Sequence, residues 1–199
     1  MPSIVFITHP EVVIDPAVPV PEWSLSDKGR ARMSAFAGSP VVAEVRALYS
    51  STERKAMDGA EILGDRLGLS YTTDEALGEN DRSATGYIAP PEFWEVVDAF
   101  FAKPHESVRG WERAIDAQER IVSAVKRIAW ECPVAGDIAI VAHGGVGTLL
   151  VAHLMRTEDA RSLAQPHGGG GCYFTIDRDS FRLLEGWRVF EADEIALRA

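Results

Sequence analysis

Residues Asp137 to Met155 read DIAIVAHGGVGTLLVAHLM, and this stretch decides the fold. Ile138 to Ala142 is a short, continuous apolar run with two Ile and one Val, the pattern of a strand covered on both faces in a parallel sheet. The run ends at His143, followed by Gly144, Gly145 and Gly147, where backbone can approach a ligand closely. A helix beginning near Val146 would aim its free N–H groups at the same spot. In open α/β sheets ligands bind beyond the carboxyl ends of the strands, so an anion fits beside His143 and Gly144.

The N-terminus repeats this layout. In SIVFITHPEV, Ile4 to Ile7 is another apolar run of strand length, and it too stops at a histidine, His9. If the two strands are parallel neighbours, the imidazoles of His9 and His143 face one another.

Composition narrows the function classes. The chain has 199 residues, which suits one domain with a sizeable core. Its formal net charge of −10 argues against nucleic-acid binding, which needs a basic face, and against polybasic docking to a membrane. A phosphate site here would be a local positive island. The two cysteines, Cys132 and Cys172, have no metal-ligand spacing and form no framework of bridges, which points to a reducing, cytoplasmic setting. The N-terminus has neither a basic n-region nor a small-residue cleavage site. The nearest thing to a membrane span, residues 138 to 155, holds His143, His153, Thr148 and three glycines and is better explained as strand, turn and helix.

Along the chain, the first strand runs into a loop with Asp15, Pro16, Pro19 and Pro21. LSDKGRARMSAFAG follows as a helix, with Ser26 as N-cap and Gly38 as its stop. Val41 to Tyr49 contains a second strand, and Ser50 or Ser51 caps the next helix, whose apolar face is Met57, Ala60, Ile62, Leu63 and Leu67. Arg54 lies in its first turn, where a cation opposes the helix dipole, a hint that it is held for a ligand. Tyr71 to Leu77 is a short strand. Residues 78 to 131 are a helical excursion, irregular at first, with a helix opened by Pro91 and another from about Ser107 to Trp130. After the central unit comes a tetraglycine, Gly168 to Gly171, and two strands joined near Asp177 to Ser180. The expectation is one domain over residues 1–199 with a three-layer α/β/α fold and a mainly parallel sheet.

Six short motifs in this order resemble the histidine phosphatase superfamily, the phosphoglycerate mutase-like group. They are Thr8-His9-Pro10-Glu11, Leu25-Ser26-Asp27-Lys28-Gly29, Tyr49 to Ala56 with its Ser-x-x-x-Arg spacing, Leu77-Gly78-Glu79, His105-Glu106-Ser107, and Val141-Ala142-His143-Gly144-Gly145. The resemblance implies a phosphate monoester hydrolase. His9 would be the nucleophile that forms a phosphohistidine, Glu79 the general acid with Asp81 as the nearby alternative, and Arg54 and His143 the groups that neutralise the phosphoryl oxygens. It implies a small phosphorylated substrate or inorganic phosphate as partner and no cofactor or metal. It leaves oligomeric state open.

Two departures stand beside the nucleophile. The family's arginine is Thr8, so a bidentate phosphate donor is replaced by one hydroxyl, and the family's glycine is Pro10, which has no N–H. Arg82 is in sequence reach to restore the missing charge. The first expectation is therefore a phosphatase weakened at Thr8; the second is a degenerate member that binds a phosphorylated ligand or protein without turnover; a phosphoglycerate-type mutase ranks third, since nothing identifies a second phosphate pocket. Other motifs fare worse. His167 and its glycines lack any Gly-x-Ser-x-Gly partner, residues 144 to 148 lack the lysine of a P-loop, and no closely spaced zinc ligands occur.

Overall fold

The structure, a computed structural model, describes residues 2–191. Six strands form one sheet: β1 (Ser3–Thr8), β2 (Val45–Ser50), β3 (Tyr71–Thr73), β4 (Asp137–Ala142), β5 (Cys172–Asp177) and β6 (Leu183–Val189), in spatial order β3-β2-β4-β1-β5-β6. The first four are parallel, while β5 pairs antiparallel to β1 and β6 antiparallel to β5. Thr8 stands opposite Ala142 and Ser50 opposite Val141. The residues that follow, His9, His143 and Ser51, therefore leave the sheet together at the carboxyl edge.

Among the described residues five α-helices cover the sheet: α1 (Asp27–Phe36), α2 (Arg54–Leu67), α3 (Glu92–Ala102), α4 (Ala114–Glu131) and α5 (Gly144–Met155). Strand alternation sorts them into two layers. Ile4, Phe6, Ile138 and Ile140 share a core with α3, α4 and α5, whereas Val5, Ile7, Ala139 and Val141 share one with α1 and α2. Both faces of β1 and β4 are buried, which is why these strands read as unbroken apolar runs. Each fully buried Ile, Leu or Phe in these layers contributes about 1.5–3 kcal/mol.

Local chemistry moves several element boundaries. Ser26 caps α1 as expected, its hydroxyl accepting from the Gly29 N–H. The strand expected within Val41 to Tyr49 is β2, which starts at Val45 because Ser39 and Pro40 set a 3₁₀ turn over Pro40–Val42 first. β3 stops at Thr73, where the Asp74 side chain caps another 3₁₀ turn. The helix expected from Ser107 begins at Ala114, since Arg109 and Gly110 both take positive φ. Neither Ser50 nor Ser51 caps α2; its N-cap is Glu53, which frees the Ser51 hydroxyl for another partner. Among the described residues, no helix is long and apolar enough to cross a membrane.

Candidate functional site

His9 and His143 do meet. Their ring centroids lie 5.2 Å apart, edge to face at 69°. The Nδ1–H of His9 donates to the Pro10 carbonyl at 2.8 Å, and because a carbonyl can only accept, this bond fixes the tautomer and leaves a lone pair on Nε2. Position 10 is used through its C=O, which proline keeps, so the missing N–H costs this contact nothing. The tetraglycine passes directly over the same turn: Gly171 N–H donates to the His9 carbonyl, and a Cβ on Gly170 would sit 2.0 Å from that oxygen. Burial, reinforced by the Lys55 charge, lowers the His9 pKa to about 4.

His143 is fully buried. Its Nε2 lies 2.8 Å from Ser51 Oγ and 3.4 Å from Glu53 Oε1, so this nitrogen carries the proton, since a carboxylate can only accept. Its Nδ1 has no protein partner. Burial takes this pKa to about 4 as well, with the Glu53 carboxylate pulling the other way. Glu53 in turn accepts from Lys55 Nζ and from the Glu79 N–H at 2.8 Å. Burial raises its carboxyl pKa, but His143 and Lys55 outweigh that and bring it well below the usual range.

The expected place of Arg54 needs correcting. Its guanidinium pairs with buried Asp58 at 2.7 Å, its side chain is half-exposed, and it does not line the cavity. The cation that turns inward is the next residue, Lys55, which is 5% exposed and bonds Glu53 and the Val20 carbonyl. Residues one apart on a helix point about 100° apart, and the expectation took the wrong one. Lys55, Glu53 and Ser51 were therefore missed; a basic residue followed by Ala56 and Ala60 on the buried face was the signal that could have found Lys55.

Glu79 reaches the site in an unexpected role. Its two oxygens accept from the N–H groups of Gly145 and Val146, each at 2.9 Å, so the anion at the α5 N-terminus is the protein's own carboxylate. A Cβ at Gly145 would lie 2.6 Å from Glu79 Oε1. Arg120 fixes the approach by donating to the carbonyls of Ala76, Gly78 and Glu79. Asp81 does not join: its carboxylate accepts from Ser83 N–H on the surface. Arg82 does, lying 3.6 Å from Glu79 Oε2 with its guanidinium over the rings of Phe93 and Trp111. Glu106 and His105 are exposed, and Ser107 instead binds the Trp111 carbonyl.

Thr8 is 1% exposed and does not reach the cavity. Its hydroxyl donates to Gln165 Oε1 at 2.9 Å and accepts from Cys172 N–H. That contact turns the Gln165 amide nitrogen toward Gly144, where a Cβ would come within 2.4 Å of it. A second carboxamide, Asn80, is 6% exposed, lines the cavity, and has no partner for Nδ2. Among the described residues four buried side-chain atoms lack a hydrogen bond, and two of them, Glu11 Oε1 and Asp58 Oδ1, still touch a cation. The two left without any partner are Asn80 Nδ2 and His143 Nδ1.

His9, Glu79, Asn80, Arg82, Gly144 and Gln165 open on one cavity of about 640 Å³, within the size range of small-molecule sites. Among the described residues no group of three or more His, Cys, Asp or Glu side chains is arranged to hold a metal ion.

Solved structures share this architecture. Bacillus stearothermophilus YhfR superposes with a TM-score of 0.77 at 23% identity, covering 92% of this chain and 94% of that one. The native mycobacterial glucosyl-3-phosphoglycerate phosphatase gives 0.76 at 22%, covering 94% and 96%. Its complex with inorganic phosphate gives 0.74 at 22%, covering 94% and 95%. At these identities the likeness establishes the fold. No protein of curated function matches the chain. The model of the histidine phosphatase superfamily (branch 1) matches residues 17–185, beginning just beyond the divergent turn at His9, and with most of the chain inside that match, this protein belongs to the histidine phosphatase superfamily.

Proposed function

We propose that the protein hydrolyses phosphate monoesters through a phosphohistidine on His9. The observation that carries this reading is the His9 Nδ1 bond to the Pro10 carbonyl, which leaves the Nε2 lone pair available beside His143 in a small-molecule cavity. Nε2 forms the P–N bond as the ester P–O bond breaks, and the Glu79 carboxylate relays the proton of the monoester monoanion to the leaving oxygen. Water then attacks phosphorus as the P–N bond breaks, its proton passing by way of Glu79 to the released phosphate, and His9 is left free. A fold relative, the mycobacterial glucosyl-3-phosphoglycerate phosphatase, was solved in complex with inorganic phosphate, which supports a phosphate ligand for this fold.

Neutral donors take over part of the work of the missing arginine. Gln165, oriented by Thr8, and the unpartnered Asn80 supply amide N–H groups, while Lys55 and Arg82 supply charge. The two buried, unbridged cysteines fit a reducing, cytoplasmic setting. A second reading is favoured by the same exchange: with carboxamides where an arginine would stand, the site binds phosphate without turning it over. Rapid-quench mass spectrometry with 4-nitrophenyl phosphate separates the two. Transient labelling of His9, lost with turnover in His9→Ala, is expected; vanadate binding with no label and no turnover would establish the second reading, and undiminished turnover in His9→Ala would exclude His9 as nucleophile.

A further inference from the structure

The cavity around His9 continues into a wall that the phosphoryl chemistry does not use. Phe93, Trp94 and Val97 of α3 form one side, and Val12 and Ile14 from the loop after β1 also line it. Trp94 is 44% exposed and Ile14 59%, two of the few large apolar side chains in the described chain that face solvent, and both belong to this cavity. Exposed apolar surface gathered at the mouth of a concave site marks a place where a ligand completes the burial. The wall is also held in place. Phe93 packs edge to face on Trp94 at 4.9 Å, and Arg82 spans Phe93 and Trp111 at 5.5 and 5.4 Å from their centroids.

The charges around this wall are already satisfied. Arg161, which lines the cavity, pairs with Asp98 at 2.7 Å, and Arg82 pairs with Glu79. Glu11 is held by Lys28 and Arg32, each at 2.8 Å. With Arg82 given to the transferring phosphoryl group, a second phosphate or a carboxylate on the leaving group would have to compete with Asp98 for Arg161. A flat, uncharged ring system would bury apolar surface at about 25 cal/mol per Å² and disturb none of these pairs.

We propose that the site recognises phosphate monoesters of flat, uncharged apolar alcohols, aryl phosphates above all, and not phosphorylated sugar acids or bisphosphates. For turnover this rests on the phosphatase reading; for binding it stands alone. The chemistry agrees with the wall. A phenol ionises near pH 10, far below an alkyl alcohol, so an aryl oxide leaves with less help from a proton donor or from the guanidinium that Thr8 replaces.

The experiment measures the binding of three non-hydrolysable anions, 1-naphthylmethylphosphonate, methylphosphonate and phosphonoacetate, together with kcat/KM for 1-naphthyl phosphate and 3-phosphoglycerate. The naphthyl phosphonate should bind at least tenfold more tightly than either of the others. That ratio should shrink severalfold in Trp94→Ala and in Ile14→Ser, both exposed positions where folding is not at stake, with thermal unfolding as the check; Trp130→Ala, on the opposite end of the molecule, should leave it intact. Selective naphthyl binding without turnover supports the recognition and overturns the phosphatase reading. Turnover that favours 3-phosphoglycerate, or a naphthyl preference indifferent to Trp94 and Ile14, overturns the recognition while the phosphatase reading survives.

Discussion

Arg54 and Lys55 are neighbours in sequence with opposite roles. Lys55 is buried against Glu53 and, without lining the cavity itself, acts on His9 through its charge, while Arg54 shares buried Asp58 with Arg30. Lys55→Gln should weaken vanadate binding at least tenfold, read by titration, whereas Arg54→Ala should leave it within twofold while costing about 1–3 kcal/mol of stability, because it strips the buried Asp58 Oδ1 of its cation. The reverse ranking would return Arg54 to the site. Thr8 carries a second test. Because its hydroxyl is enclosed between Gln165 and Cys172, Thr8→Arg should not gain activity but should lower the melting temperature by several degrees, a buried guanidinium having no carboxylate waiting there. Gln165→Ala should weaken anion binding several-fold in a folded protein; an undiminished affinity would remove Gln165 from the list of donors. Both histidines and Glu79 were legible from their place at strand ends and in motif order. Lys55, Asn80 and Gln165 were not, because direction on a helix and reach across a loop depend on packing that no spacing rule encodes.

At the scale of elements, the junction of β4 with α5 and the loop from Leu77 to Arg82 behave as one unit. Glu79 closes the N-terminus of α5, and Arg120 of α4 holds three carbonyls of the loop that delivers it. Glu79→Gln keeps one acceptor but removes the charge at the helix end and should cost about 0.5–2 kcal/mol in denaturant unfolding. If Glu79 also protonates the leaving oxygen, the same variant should slow alkyl phosphates by at least tenfold more than 4-nitrophenyl phosphate, whose leaving group needs no proton. Equal losses on both substrates would confine Glu79 to its cap. The strand-turn-helix around His143 was readable because its apolar run and glycines are local signals. The helix opened by Pro91 was readable too, as α3. The irregular stretches on either side of it were not, since Arg82 is held by Glu79 and Phe93 and Trp111 by Thr85, tertiary contacts that no local signal encodes.

For the whole molecule, the buried imidazoles tie stability and binding to pH. The pKa of His143 falls from 6.5 to about 4 on folding, and that of His9, which keeps some surface on the cavity, is lowered in the same direction. Below pH 6.5 the unfolded chain takes up protons that the folded chain refuses, so stability drains away as pH falls from about 6.5 to about 4 and levels off below. At about 1.4 kcal/mol per unit, His143 alone accounts for roughly 3 kcal/mol at the limit. The depressed Glu53 carboxyl acts in the same sense at the acid end, its contribution present above the ordinary carboxylate range and lost as it protonates. The melting temperature should therefore fall steadily between pH 7 and pH 4, more gently in His143→Asn. An anion should reverse this. With Nε2–H directed at Ser51 and Glu53, the neutral His143 ring has only a lone pair on its unpartnered Nδ1, and a lone pair repels a phosphate oxygen. To hold an anion that carries no proton, Nδ1 must gain one, and the charge of the anion stabilises the imidazolium that results. Calorimetric titration with sulfate, an anion that carries no proton of its own at pH 7, in buffers of different ionisation enthalpy should show an uptake approaching one proton per site, lost in His143→Asn. Binding with no proton uptake would mean that His143 is not a phosphate donor and that Lys55, Asn80 and Gln165 hold the anion without it.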